Sequence, residues 1–166
     1  NGITNYKIVY YESRKYYRLL ATAKYLVEDT SFPEKFIKRK DQIYLNTWHG
    51  TPLKTLGKRI KSEAHAIGNA QKNFLSADYL LHPNAFTMKH IVEDYMLENL
   101  GTGENWLAGY PRNAVFFDTK GREELRAQYE LDGFKVFAFM PTWRGVVGGV
   151  NGDEQTEQLK QYLTEL

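Results

Sequence analysis

The sequence predicts an α/β protein: a parallel sheet flanked by helices on both faces, a Rossmann-like arrangement. Strand-like and helical runs alternate from one end of the chain to the other. Each strand-like run is followed by a segment long enough for a crossover, and hairpin signals between them are absent. The 166 residues leave room for one sizeable core, or for one domain and the start of another.

Residues 6–11 (YKIVYY) read as a strand. Across residues 14–28, Tyr16, Leu19, Leu20, Ala23, Leu26 and Val27 fall at helical spacing, which predicts one amphipathic helix. Ser31-Phe32-Pro33 breaks it, and residues 35–40 form a basic loop or helix turn. A second strand at 42–47 runs into NTWHGTPLKTLG at 46–57. There Thr51 is placed as N-cap and Pro52 as first helical residue, where a missing N–H costs nothing.

Residues 62–76 are expected to be helical, although Gly68 weakens that helix by about 1 kcal/mol relative to Ala. A short apolar strand at 77–82 ends at His82-Pro83-Asn84. Asn84 caps a helix whose apolar stripe is Met88, Ile91, Val92, Tyr95 and Met96. Residues 106–108 form another strand, closed by GYPRN at 109–113, and 119–130 a charged surface helix. Residues 134–140 (FKVFAFM) give the strongest strand signal and stop at Pro141-Thr142-Trp143-Arg144. A Gly-rich loop at 145–152 precedes a helix at 153–166 with Leu159, Tyr162, Leu163 and Leu166 on one face.

Composition narrows the chemistry. Without Cys there is no disulfide framework, thiolate metal site or cysteine nucleophile. No apolar run approaches the roughly 20 residues that span a bilayer. Residues 1–61 hold 13 Lys and Arg against 5 Asp and Glu, whereas residues 62–166 hold 9 against 15. A basic N-terminal part suits an anionic partner, such as a phosphate ligand, an acidic polymer or a membrane surface. It is also what a solvated basic face looks like.

In parallel sheets ligands bind beyond the carboxyl ends of the strands. Four polar turns fall at such ends: Trp48-His49-Gly50-Thr51, His82-Pro83-Asn84, Gly109 to Asn113, and Pro141 to Arg144. His49 is the group in the first able to take a proton near neutral pH. A helix start at Thr51 would favour an anion, with Lys54, Lys58 and Arg59 adding charge nearby. His49 is equally readable as a hydrogen-bonded turn residue, and His82 as a structural residue before a helix cap. His65 and His90 sit within helices at no metal-ligand spacing, so no metal site is read. No serine has nucleophile-elbow context. The aromatic and basic residues of 14–18 could stack on bases, but at helical spacing they read as core; no nucleic-acid partner is expected.

WHGTPLKTLG at 48–57, GYPRN at 109–113 and PTWR at 141–144, in that order, resemble the CDP-glycerol glycerophosphotransferase family of teichoic-acid polymerases and primases. YYRLLATAKY at 16–25 and Phe32-Pro33 resemble it too, so the likeness runs across nearly the whole chain. The resemblance implies half of a glycosyltransferase-B-like fold, with residues 1–130 as the acceptor-side domain and 131–166 as the beginning of the donor domain. It implies transfer of glycerol phosphate, or ribitol phosphate, from CDP-glycerol or CDP-ribitol to a lipid-linked polyol-phosphate hydroxyl. CMP would be released at the cytoplasmic face of the inner membrane, with no cofactor or metal. His49 matches the motif histidine, the expected general base. Trp48, Gly50, Thr51, Lys54, Arg112, Asn113, Trp143 and Arg144 match motif positions expected at the substrate, the two arginines at the diphosphate. Ala114 departs from the Asp that often follows GYPRN in the family. The family's second functional histidine lies in a donor domain of which only a stub is matched, so the chain is expected to be inactive alone. The rival expectation is a non-catalytic module docking on an anionic polymer or the inner membrane surface.

Overall fold

The computed structural model describes residues 5–60, 67–138, 140, 160 and 161. The chain divides into two compact units, Asn1–Asp118 and Thr119–Leu166.

The first unit is built on a four-stranded parallel sheet in the order β1-β2-β3-β4, with β1 Tyr25–Glu28, β2 Ile43–Asn46, β3 Tyr79–His82 and β4 Glu104–Leu107. Helix α1 (Arg14–Thr22) leads into β1, α2 (Ile67–Ser76) connects β2 to β3, and α3 (Ala85–Asp94) connects β3 to β4. The expected α/β class and the parallel sheet flanked by helices are both present.

One core serves the whole unit. Leu26, Tyr44 and Leu80 from three adjacent strands pack with Leu20 of α1, Phe74 of α2, Ile91 of α3, and Tyr95 and Leu97 just beyond it. Phe32 and Phe36, from the β1–β2 crossover, complete the cluster, with their rings 4.7 Å apart. These helices therefore share one face of the sheet rather than two. A strand order that always advances the same way demands this, because right-handed crossovers then all fall on the same side.

Asp78 locks the start of β3 against β2. Its carboxylate accepts the Tyr44 N–H at 2.7 Å and its own N–H donates to the Tyr44 carbonyl at 2.9 Å, while Lys38 pairs with it at 2.6 Å. The caps read as their chemistry requires. Ser13 accepts the Tyr16 N–H at the start of α1, and the expected Asn84 cap accepts the Thr87 N–H at 2.8 Å.

Besides the helices expected on both faces, four expectations are corrected. The helix expected over 14–28 stops at Thr22, and residues 25–28 form β1 instead. Leu26 and Val27 fit a helical stripe and a strand equally well, and pairing with β2 decides the matter. Residues 6–11 belong to no strand: 6–10 are irregular and Tyr11 opens a turn, with Tyr10 90% exposed. Residues 134–138 also form no strand, because a strand needs a partner and no described segment pairs with them. The helix expected from Pro52 is absent, as described below. Helix α4 (Thr119–Gln128) has the expected charged surface character, with no buried residue. Residues 62–66 of the expected helix at 62–76, the Gly-rich loop at 145–152 and most of the helix expected at 153–166 lie outside the described residues.

Candidate functional site at the carboxyl edge of the sheet

β2 delivers Asn46 to the carboxyl edge, where the chain turns through Thr47, Trp48, His49 and Gly50. The turn is strained. Trp48 has φ of +52°, a left-handed conformation that costs a bulky residue roughly 1–2 kcal/mol. Buried polar groups hold it there. The Asn46 carboxamide oxygen accepts the Trp48 N–H at 2.9 Å, and its amide donates to the Thr30 carbonyl and to the Tyr44 hydroxyl. Tyr44 in turn donates to Asn73 of α2 at 3.2 Å. Asn73 also brackets the backbone of Phe32, accepting its N–H and donating to its carbonyl. Asn46, Asn73 and Tyr44 are at most 1% exposed. Such a satisfied network fixes one geometry, because breaking any member strands buried polar groups. Burial pushes the Tyr44 phenol well above its ordinary value, against a smaller opposing effect of its bond to Asn46.

The imidazole of His49 is exposed, with Nδ1 2.9 Å from the carbonyl oxygen of Asp29, just past β1. A carbonyl oxygen only accepts, so Nδ1–H is the donor and the neutral ring carries its lone pair on Nε2. The Trp48 ring lies against it, centroids 4.0 Å apart. Trp48 packs in turn on Phe74 and Tyr95 of the core. The histidine is thus held on one nitrogen and one ring face, leaving Nε2 as the basic atom.

After the turn, Thr51 and Lys54 lie in an exposed loop and Gly50 is half-buried. Thr51 caps no helix: residues 51–56 are irregular and end in a single 3-10 turn, Gly57–Arg59. Gly57 is the physical reason. It sits at φ +53°, and a Cβ there would lie 2.1 Å from the Asp94 carbonyl oxygen. A helix starting at Pro52 would have to end within about one turn, too short to offset its nucleation. Arg59 is committed to Asp94 at 2.5 Å and Glu93 at 3.6 Å. The expected helix-start anion cradle therefore falls away.

β4 delivers the second turn. The Arg112 guanidinium stacks over the Tyr110 ring, 4.2 Å from its centroid, and Asn113, half-buried, donates its N–H to the Tyr110 carbonyl. The buried Tyr110 phenol is shifted upward by desolvation, opposed by the Arg112 charge and by the Thr51 hydroxyl nearby. By hydrogen-bond geometry, however, the buried Tyr110 hydroxyl has no partner among the described residues. The third edge residue, His82, is 2% exposed and bonds Asn105 through Nε2 at 2.7 Å, which fits the structural reading. Trp143 and Arg144 lie outside the described residues. Asn46, Asn73 and the Asp29 carbonyl escaped the sequence reading; an Asn ending a strand directly before the turn was the available signal for the first.

These features define a class: a parallel α/β domain presenting a base-competent histidine and a stacked arginine at the ligand-binding edge of its sheet. The chain belongs to the CDP-glycerol:poly(glycerophosphate) glycerophosphotransferase family, whose sequence model matches residues 3–165. It is 32% identical over 144 residues to a teichoic acid poly(glycerol phosphate) polymerase of Bacillus spizizenii, and 29% identical over 166 residues to one of Staphylococcus epidermidis. Those matches cover 80% and 93% of this chain but 35% and 22% of the relatives. Among solved structures, the wall teichoic acid polymerase TagF superimposes with a TM-score of 0.60 at 25% identity, covering 80% of this chain and 34% of that one. A TagF variant soaked with CDPG matches similarly, with a TM-score of 0.58.

Proposed function

We propose that this chain is the acceptor-side part of a transferase that moves glycerol phosphate from CDP-glycerol to the terminal hydroxyl of a lipid-linked polyol phosphate. The observation that carries it is the Nδ1–H of His49 donating to the Asp29 carbonyl, which leaves Nε2 as an exposed base over the sheet edge. Nε2 takes the proton of the acceptor hydroxyl as its oxygen attacks the glycerol-bearing phosphorus of the donor. The new P–O bond forms as the bond to the CMP oxygen breaks, and CMP leaves with that electron pair. Arg112, steadied on Tyr110, is suited to the diphosphate by charge and by its planar donors. Trp48, Gly50, Thr51, Lys54 and Asn113 are assigned to the substrate by their motif positions, as are Trp143 and Arg144, which lie outside the described residues.

The family's description, which names CDP-glycerol, supports the donor. Since the chain spans about a third or less of these relatives, turnover is assigned to the longer polypeptide, with residues 131–166 beginning its donor domain and the 166-residue piece inactive alone. The acceptor places the reaction at the inner face of the membrane, where the basic N-terminal part meets anionic lipid.

The test measures CMP release from CDP-glycerol, with CDP-ribitol in parallel, by the full-length gene product and a lipid-linked acceptor. His49→Ala should lower release by about 10²–10⁴-fold while leaving the circular dichroism unchanged. Undiminished release in that variant would remove His49 from the chemistry. If neither donor turns over in a well-folded product, the uneven charge favours the rival module that docks on an anionic polymer.

A further inference from the structure

Glu28 ends β1 two residues beyond the buried Leu26, so its side chain leaves from the same face of the sheet. It is half-buried, and its carboxylate folds forward over the turn that follows. Oε1 accepts the Thr30 N–H at 3.0 Å and the Thr30 hydroxyl at 2.5 Å. The N–H is the informative contact, because it belongs to the same peptide unit as the Asp29 carbonyl. That unit is planar and trans, so its N–H and C=O point in opposite directions. Anchoring the N–H on Glu28 therefore aims the Asp29 carbonyl the other way, where His49 Nδ1 meets it at 2.9 Å.

The peptides on either side are fixed independently of the Glu28 carboxylate. The Glu28 carbonyl accepts the Thr47 N–H at 2.9 Å, and the Thr30 carbonyl accepts the Asn46 amide at 3.0 Å. Both bonds run to the segment that delivers His49, and they hold this loop beside it without choosing how the middle peptide turns. A flip of that peptide would present the Thr30 N–H to the imidazole. Nδ1 would then have to accept, the ring proton would move to Nε2, and the exposed nitrogen would cease to be the basic one. Glu28 opposes that flip. A charged acceptor on the N–H also polarises the peptide and makes its carbonyl a stronger acceptor for Nδ1–H.

We infer that Glu28 is a positioning residue for His49, acting through the Asp29–Thr30 peptide to keep the ring proton on Nδ1 and the lone pair on Nε2. The arrangement follows the logic of a base oriented by a third group, with a peptide unit interposed between carboxylate and imidazole. Its effect on rate rests on the reading of His49 as general base; its effect on the tautomer does not.

Nitrogen-15 NMR of the full-length gene product, labelled on histidine, reads the tautomer directly, with the His49 signals identified by their loss in His49→Gln. At about pH 8.5, well above the ordinary histidine range, the parent should show a protonated Nδ1 and a bare Nε2. Glu28→Ala should populate the Nε2–H tautomer, whereas Glu28→Gln, whose carboxamide oxygen can still accept the Thr30 N–H, should keep the parent form. Turnover should follow. In Glu28→Ala, kcat for CMP release from CDP-glycerol should fall by about 10²-fold with KM little changed, and Glu28→Gln should recover most of it. Glu34→Ala, which removes an exposed carboxylate from the same crossover, should alter neither readout. A parent carrying its proton on Nε2 would overturn the inference, as would a Glu28→Ala protein that keeps the Nδ1–H tautomer, whatever its rate. A tautomer that moves while kcat stays would uphold the positioning and remove His49 from the chemistry instead.

Discussion

His82 shows how one buried side chain writes a pH dependence into the fold. Its Nε2–H donates to the Asn105 carboxamide oxygen, and its buried Nδ1 has no protein partner among the described residues. Protonation would put a charge in a desolvated site with a new N–H that lacks an acceptor. Burial accordingly lowers its pKa from 6.5, the bond to Asn105 offsetting only part of the effect. Below pH 6.5 the unfolded chain then binds a proton that the native chain refuses, so stability must rise with pH. It is complete above the unfolded value and is lost as pH falls from about 6.5 toward the depressed native value, at up to about 1.4 kcal/mol per unit. The urea midpoint should fall between pH 7.5 and 5.5, and His82→Gln, which can still donate to Asn105, should flatten that part of the profile. An unchanged slope in the variant would assign the acid sensitivity to other groups. At this scale the sequence was partly legible. The motif singles out His49, but the atoms that define its tautomer and hold its turn come from Asp29, Asn46 and Asn73, and only folding makes them neighbours.

Among the elements, the segment after the histidine turn departs furthest from its local signals. Thr51-Pro52 followed by basic and apolar residues is a good helix start, yet tertiary contacts dictate a loop pinned to the end of α3. Gly57 makes that docking possible, through its left-handed φ and its close approach to Asp94. Gly57→Ala should therefore cost at least the roughly 1–2 kcal/mol of a left-handed alanine, plus the displacement of Asp94 and its ion pair with Arg59. A urea midpoint equal to that of the parent would show that the loop docks in some other way. Two other elements misled for different reasons. Leu26 and Val27 satisfy a helical and an alternating period at once, so only β2 as partner resolves them. Residues 134–138 have strong strand composition without a described partner, and strand propensity expresses packing more than backbone preference. Elements whose signal is local were more legible: Asn84 caps α3 as expected and Ile91 of its apolar stripe is buried, although Met96 falls beyond the helix and is exposed.

For the molecule as a whole, burial is distributed very unevenly. In the first unit α3 sinks Thr87, Ile91 and Asp94 into the core beneath β3 and β4, and Tyr95 follows at its end. Opening α3 exposes the centre of that core, so its amides should exchange only through unfolding of the unit. α4, in the second unit, is a different object. It is 10 residues long, carries no buried side chain, and has Lys120–Glu124 as its i,i+4 ion pair at 3.7 Å. Helices shorter than about 12–15 residues are marginal without tertiary packing, and an exposed pair of that kind adds only about 0.3–0.5 kcal/mol. Hydrogen exchange on the 166-residue chain should therefore find α4 amides exchanging at least about a hundredfold faster than those of Ile91 and its neighbours. Equal protection in the two helices would mean that α4 is packed as firmly as α3, and that the second unit has a core of its own. The expected contrast puts rigidity beneath the histidine turn, which grows out of the well-buried sheet through Tyr44, Asn46 and Asn73.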